Sequence, residues 1–231
     1  MNRIAQQPAS QGAAPVSREA SRVLRQVYVL LAISLIPTVL GAMLGLHLNI
    51  TSLMVQHQTL GFFVFLGVAM GMISLIHMTK NSGWGVAFLL LFTFFMGVIL
   101  SQLLGIVLGL SNGMQLIELA FGGTAVTFAG MAVLATAIKR DLGWLSKFAF
   151  VGLLMLITAD FANIFLHLTS LLITTSVAGM GLFALFMLID VKRVLNGGET
   201  NYIVATLSIY LDLYNFFVRL LTILSIFSGR D

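Results

Sequence analysis

ETNYIVATLSIYLDLYNFFVRLLTILSIF, running from Glu199 to Phe227, is apolar enough to span a bilayer yet holds both an acid and a base within it. Ser208, Asp212, Asn215 and Arg219 follow the spacing i, i+4, i+7, i+11. At about 100° per residue those four side chains fall within an arc of roughly 60°. Asn201 and Thr222 lie close to the same line. A charge near the bilayer centre costs about 3 kcal/mol on insertion scales. A helix with two charges on one face must turn that face toward protein or water. The segment therefore reads as the inner helix of a membrane bundle, and its polar stripe is where function is to be sought first.

The rest of the chain agrees. Of its 231 residues 59% are apolar and 9% charged, against about 25% charged in a soluble domain. The mean hydropathy is +1.04, and the charges sit in short islands between long apolar runs. Seven segments reach the roughly 20 residues that cross a hydrocarbon core: 25–46, 58–78, 84–108, 115–138, 147–167, 170–194 and 201–227. The fold class is thus an all-α, seven-helix membrane protein with short connections. Residues 1–21 read as a disordered tail and 22–231 as the transmembrane domain. The first span is too long for a signal-peptide core and no A-x-A-like site ends it, so it reads as a retained anchor.

The chain has no cysteine, which excludes disulfides, thiolate metal sites and cysteine nucleophiles. The net charge of +4 is a topology signal rather than a nucleic-acid footprint. With the N-terminus inside, the inner segments hold Arg3, Arg18, Arg22, Arg25, Lys80, Lys139, Arg140, Lys147, Lys192 and Arg193. The outer segments hold Arg230. Seven spans then put the C-terminus outside. His47, His57 and His167 fall near the outer face without an HxxxH or HxH spacing, so they read as scattered loop histidines.

Small residues recur at helical spacing in Gly41-x-x-x-Gly45, Gly67-x-x-x-Gly71 and Gly105-x-x-x-Gly109, as close helix packing requires. Pro37 is expected to kink the first helix. Gly197 and Gly198 suit the end of the sixth, and Thr200 or Asn201 the cap of the seventh.

Five ionisable residues lie within the spans away from the basic loops: Glu118, Asp160, Asp190, Asp212 and Arg219. Asp190 is near the inner end of the sixth span. Asp212 lies about 16 Å along the seventh. The two helices are joined by a short loop, so both carboxylates can share the inner half of the bundle. Two close carboxylates in a low dielectric do not readily both ionise, and they titrate as a unit. Such a pair is also an oxygen site for a hard cation such as Ca²⁺, which enters as a transported ion; no resident cofactor is expected. Alternatively, Asp190 pairs with Lys192 or Arg193. Glu118 and Asp160 are both candidate partners for Arg219, forming either a structural ion pair or an outer gate.

The run GGETNYIVATLSIYLDLYNFFVRLLTIL resembles the C-terminal signature of the Bax inhibitor family, and within it the bacterial YccA branch. SRVLRQVYVLLAISL, ELAFGGTAVTFAG, KRDLGWLSK and ANIFLHL add to the resemblance, which runs from about Ser21 onward. It implies a seventh helix enclosed by the other six. It implies a pH-sensitive aspartate pair near the cytoplasmic side, carried here by Asp190 and Asp212, and in some members a slow Ca²⁺ leak. It also implies, for the YccA branch, binding and restraint of the membrane protease FtsH, with residues 1–21 as the handle, and a bacterial inner-membrane location. The ion-leak members hold their aspartate pair with an arginine of the second helix. Here that helix has none, and His77, with Lys80 beyond it, is the candidate inner basic partner. Arg219 and Asp160 are not part of the family pattern.

A pH-gated cation leak and a non-enzymatic protease modulator are the two functions this sequence supports. An intramembrane enzyme fits poorly. The aspartate contexts Leu-Ile-Asp190 and Tyr-Leu-Asp212 lack the Tyr-Asp and Gly-x-Gly-Asp of presenilin-type proteases. No Gly-x-Ser-Gly occurs, and residues 200–231 contain no lysine for a retinal Schiff base.

Overall fold

The structure, a computed structural model, describes residues 18–48 and 58–229. Residues 1–17, His57 and Arg230 lie outside the described residues. Seven helices follow one another: α1 (Arg18–His47), α2 (Gln58–Thr79), α3 (Gly83–Leu108), α4 (Gly113–Ala137), α5 (Gly143–Leu166), α6 (Thr169–Leu195) and α7 (Tyr202–Ser228). Each is long and apolar enough to cross a membrane. The chain is a multi-pass membrane protein, and its outward faces are apolar, with Ile36, Met43, Val64, Met70, Val126 and Met155 all exposed.

The six later spans agree with the sequence reading to within four residues. α1 starts seven residues before the expected 25, because Arg18, Arg22 and Arg25 continue the helix beyond its apolar part. Hydropathy sees the hydrocarbon core, whereas backbone hydrogen bonding carries on into the interface. α1 is unbroken through Pro37.

Three loop contacts fix the up-and-down order. The Asn201 amide donates to the Lys80 carbonyl at 2.9 Å and to Asn81 Oδ1 at 3.1 Å, so the α2–α3 and α6–α7 turns share one end. Lys192 Nζ donates to the Ile138 carbonyl and brings the α4–α5 loop to that same end. At the opposite end Asn112 and Ser228 exchange hydrogen bonds of 2.6 and 2.9 Å, joining the α3–α4 turn to the close of α7. The first end holds Lys80, Lys139, Arg140, Lys147, Lys192 and Arg193, and is called the basic end below. The exposed Trp84 and Trp144 open α3 and α5 there, at the level where indole rings anchor a helix in the headgroup region.

α6 ends in a Schellman turn. Gly197 takes φ +73, and the amides of Gly197 and Gly198 return to the carbonyls of Val194 and Arg193 at 3.0 and 2.9 Å. Asn201 Oδ1 then caps α7 by accepting from Ile203 and Val204.

α7 packs against α1, α2, α3, α4 and α6. Between Tyr202 and Ile226 none of its residues is exposed. Its far-side face is pinned: Tyr210 Oη pairs with Thr38 Oγ1 of α1 at 2.8 Å, and Tyr214 Oη donates to the Met96 carbonyl of α3 at 3.1 Å. α1 and α3 cross tightly beside it. A Cβ on Gly41 would strike the Phe94 carbonyl, and one on Gly97 the Thr38 carbonyl. Gly67 and Gly71 differ from that pattern. A Cβ on either meets nothing within 4 Å, so this pair packs no helix. α2 and α5 are the loosest members, each with 11% of its span buried, against 39% for α1, α3 and α6.

Candidate functional site

The polar stripe of α7 faces a cleft of about 590 Å³ between α2, α5, α6 and α7. Ser208, Asp212, Asn215 and Arg219 all line it, as helical spacing requires of residues within one narrow arc. α6 contributes Asp190 and Arg193, and α5 contributes Asp160. The remaining walls are apolar and include Phe62, Phe161, Phe183 and Phe186. α7 is therefore not sealed on all sides, since this face borders a cleft.

Charge in the cleft is arranged in two pairs and one remainder. Near the basic end Arg193 Nη1 lies 3.4 Å from Asp190 Oδ1, one helical turn apart on α6. Asp190 is largely buried and Arg193 nearly half exposed. Two turns beyond Asp212, Arg219 grips Asp160 with both terminal guanidinium nitrogens, Nη1 donating to Oδ1 at 3.1 Å and Nη2 to Oδ2. The fork-to-carboxylate geometry makes this the stronger pair. Arg219 reaches across α6 at Gly179, where a Cβ would come within 3.2 Å of Nε. Between the pairs sits Asp212. It is 7% exposed, and its Oδ2 is buried with no hydrogen-bond partner.

Of the two candidates for Arg219, Asp160 is the one in contact. Glu118 is exposed on α4 and does not line the cleft. Its position one and a half turns into an outward-facing stretch carries it away from α7. His77 does not reach the carboxylates either. Its ring bonds the Ile73 carbonyl of its own helix at 2.9 Å, so the basic group beside Asp190 is Arg193. Asn201 leaves the stripe to act as the α7 cap, and Thr222 donates to the Val218 carbonyl.

Among the described residues no three His, Cys, Asp or Glu side chains converge on a metal position. Two carboxylates with the oxygens of Ser208 and Asn215 nearby fall short of the six to eight ligands of a resident Ca²⁺.

A second, smaller hollow of about 310 Å³ lies beyond the first, toward the end opposite the basic one. Gln102 and His167 supply its polar groups. Phe62 and Ile164 belong to both hollows. Phe161 meets Phe62 and Phe63 across the α2–α5 gap at ring distances of 5.5 and 6.4 Å, so aromatic side chains separate the two.

A family model described as Inhibitor of apoptosis-promoting Bax1 matches residues 20–229. The chain belongs to the Bax inhibitor family. An uncharacterized Neisseria meningitidis protein is 36% identical over 90% of this chain and 92% of its own length. A Pseudomonas aeruginosa protein, also uncharacterized, is 34% identical over 93% of each chain. An Escherichia coli relative named "Modulator of FtsH protease YccA" is 32% identical over 91% of this chain and 92% of its own.

In this Bax inhibitor family chain the site owes as much to residues that sequence reasoning passed over. Tyr210 and Tyr214, at i and i+4 on the other face of α7, hold the helix that presents the stripe. Their spacing was a usable signal. Gly179 gives Arg219 its passage, and nothing in the sequence distinguished it from the other helix glycines.

Proposed function

We propose that this Bax inhibitor family protein provides a slow, proton-sensitive pathway for Ca²⁺ or another cation along the cleft-facing side of α7. In this reading α7 is the helix the other six surround, and Asp190 and Asp212 are the gate. The observation that carries it is Asp212: a carboxylate within the membrane, without a hydrogen bond, between two arginines already engaged with other carboxylates. Protons and cations compete for the same oxygens, so the charge state of the pair sets both affinity and helix arrangement. The phenylalanine partition and the Arg219–Asp160 pair close the pathway beyond the carboxylates, which fits a leak better than a fast channel. The Lys and Arg distribution supports a cytoplasmic basic end, and hence a cytoplasmic N-terminus and an outer C-terminus. A bacterial inner membrane is the matching location, in line with the E. coli relative named "Inner membrane protein YccA".

The test is Ca²⁺ flux into proteoliposomes from pH 5 to 8. The parent is expected to show flux that changes with pH, and Asp212→Asn a flux that is altered and flat. Absence of flux at every pH from folded protein would end this reading.

The printed name of the E. coli relative favours a second role, as a non-enzymatic modulator of the membrane protease FtsH. It requires a bundle that resists extraction and an accessible N-terminal segment. Co-purification of FtsH with the full chain, lost when residues 1–21 are removed, is the expected result. Retention without them would place the contact elsewhere.

A further inference from the structure

The cleft holds three carboxylates, Asp160, Asp190 and Asp212, against two guanidiniums, Arg193 and Arg219. With each arginine paired, the surplus is the single charge that Asp212 can carry, and one positive charge balances it. Few oxygens are at hand to replace the hydration shell of a small inorganic ion. The walls instead present the rings of Phe62, Phe161, Phe183 and Phe186. Weakly hydrated organic cations gain from apolar burial and from attraction to aromatic faces together. The volume of about 590 Å³ falls within the range of about 300–1,000 Å³ usual for small-molecule sites.

The cleft also has a side entrance. Phe63 touches Phe161 of α5, so that face of α2 looks toward α5. Beyond this aromatic contact α2 and α5 do not pack along their lengths. The resulting slot opens toward lipid.

We propose that the cleft is a binding site for lipophilic organic cations, entered from the bilayer through the slot between α2 and α5, with Asp212 as counter-ion. The aromatic body lies against the phenylalanines and the charge sits at Asp212. This uses the cleft of the preceding section but requires no conduction through it.

The test is equilibrium binding of tetraphenylphosphonium to the full chain in phosphatidylcholine nanodiscs. The parent is expected to bind saturably, with one site per chain. Asp212→Asn is expected to weaken binding by more than about tenfold, as loss of one partner of a desolvated charge pair does. Asp212→Glu keeps the charge and is expected to keep binding, which guards against a folding defect in the amide variant. Tetraphenylborate, of like shape and opposite charge, is expected not to compete. No saturable binding above empty nanodiscs, equal binding by monodisperse Asp212→Asn, or equal competition by the borate would each overturn the proposal. Ca²⁺ flux measured on the same preparations separates the two readings. Flux without tetraphenylphosphonium binding would leave the cation pathway standing and remove this site. Binding without flux would do the reverse.

Discussion

Asp212 and Asp160 are both carboxylates in the same cleft, yet their surroundings predict opposite responses to the same substitution. Asp160 accepts two hydrogen bonds from Arg219, so Asp160→Asn leaves a guanidinium, 16% exposed, with no counter-charge. Breaking one partner of such a pair costs about 3 kcal/mol, whereas removing both charges together is far milder. Asp160→Asn and Arg219→Gln are therefore each expected to lower the thermal unfolding midpoint of the purified protein, and the double variant to recover much of the loss. Additive losses would mean that the pair is not coupled. Asp212 Oδ2 gives up no hydrogen bond on becoming an amide, so Asp212→Asn is expected to leave the midpoint unchanged or raise it. A larger loss at Asp212 than at Asp160 would contradict this assignment of roles. The α7 stripe was legible in the sequence because helical spacing alone puts four polar residues on one arc. The partner of Arg219 was not, because Glu118 and Asp160 are equivalent by depth. Only the rotation of α4 and α5 about their axes separates them, and a sequence without strong amphipathic contrast does not encode that rotation visibly.

Among the helices, the same short pattern has two different meanings. Gly41-x-x-x-Gly45 and Gly67-x-x-x-Gly71 look alike as sequence, but the first brings α1 onto the backbone of α3 and the second faces outward with nothing packed on it. Gly41→Val is expected to force the α1–α3 crossing apart, at about 1–3 kcal/mol or more, since a carbonyl rather than a flexible side chain stands in the way. Gly67→Ala meets no obstacle and gains helix propensity worth up to about 1 kcal/mol. Thermal unfolding in one detergent should rank Gly41→Val well below the parent and Gly67→Ala level with it or above. The reverse order would mean that α2, not α1, makes the close contact. The number of helices and most of their limits followed from hydropathy, since about 20 apolar residues have few alternatives in a bilayer. Which helices are tightly held did not follow. α2, α3 and α5 are nearly equal in hydropathy, at 2.0, 2.3 and 2.0, yet 11%, 39% and 11% buried. Lipid and protein interior reward the same side chains, so composition does not tell an outer helix from an inner one. The division that results has α1, α3 and α7 as a locked core, tied by Thr38, Tyr210, Tyr214 and Met96. α2 and α5 are the least buried of the seven.

For the whole molecule, the asymmetry between the two ends decides how the cleft is oriented in the cell. Asp190 and Arg193 lie at the end that carries Lys80, Lys139, Arg140, Lys147 and Lys192, and Asp160–Arg219 lies toward the other. If positive residues stay on the cytoplasmic side, the carboxylate pair faces the cytoplasm and the phenylalanine partition faces outward. The absence of native cysteine makes this directly measurable, because any thiol introduced is the only one present. Asp141, in the α4–α5 loop, and Ser111, in the α3–α4 turn, are both exposed and lie at opposite ends of the bundle. In intact cells of an inner-membrane expression host, a membrane-impermeant maleimide is expected to label Ser111→Cys and to spare Asp141→Cys until the membrane is opened. Equal labelling of both in sealed cells would mean two insertion orientations, and labelling of Asp141→Cys alone would invert the molecule. Inversion would carry more than topology with it. It would put Asp190 and Asp212 nearer the external medium, where external rather than cytoplasmic pH would control any gate built from them. The flux experiment then has to be read against the pH of the compartment that this labelling identifies.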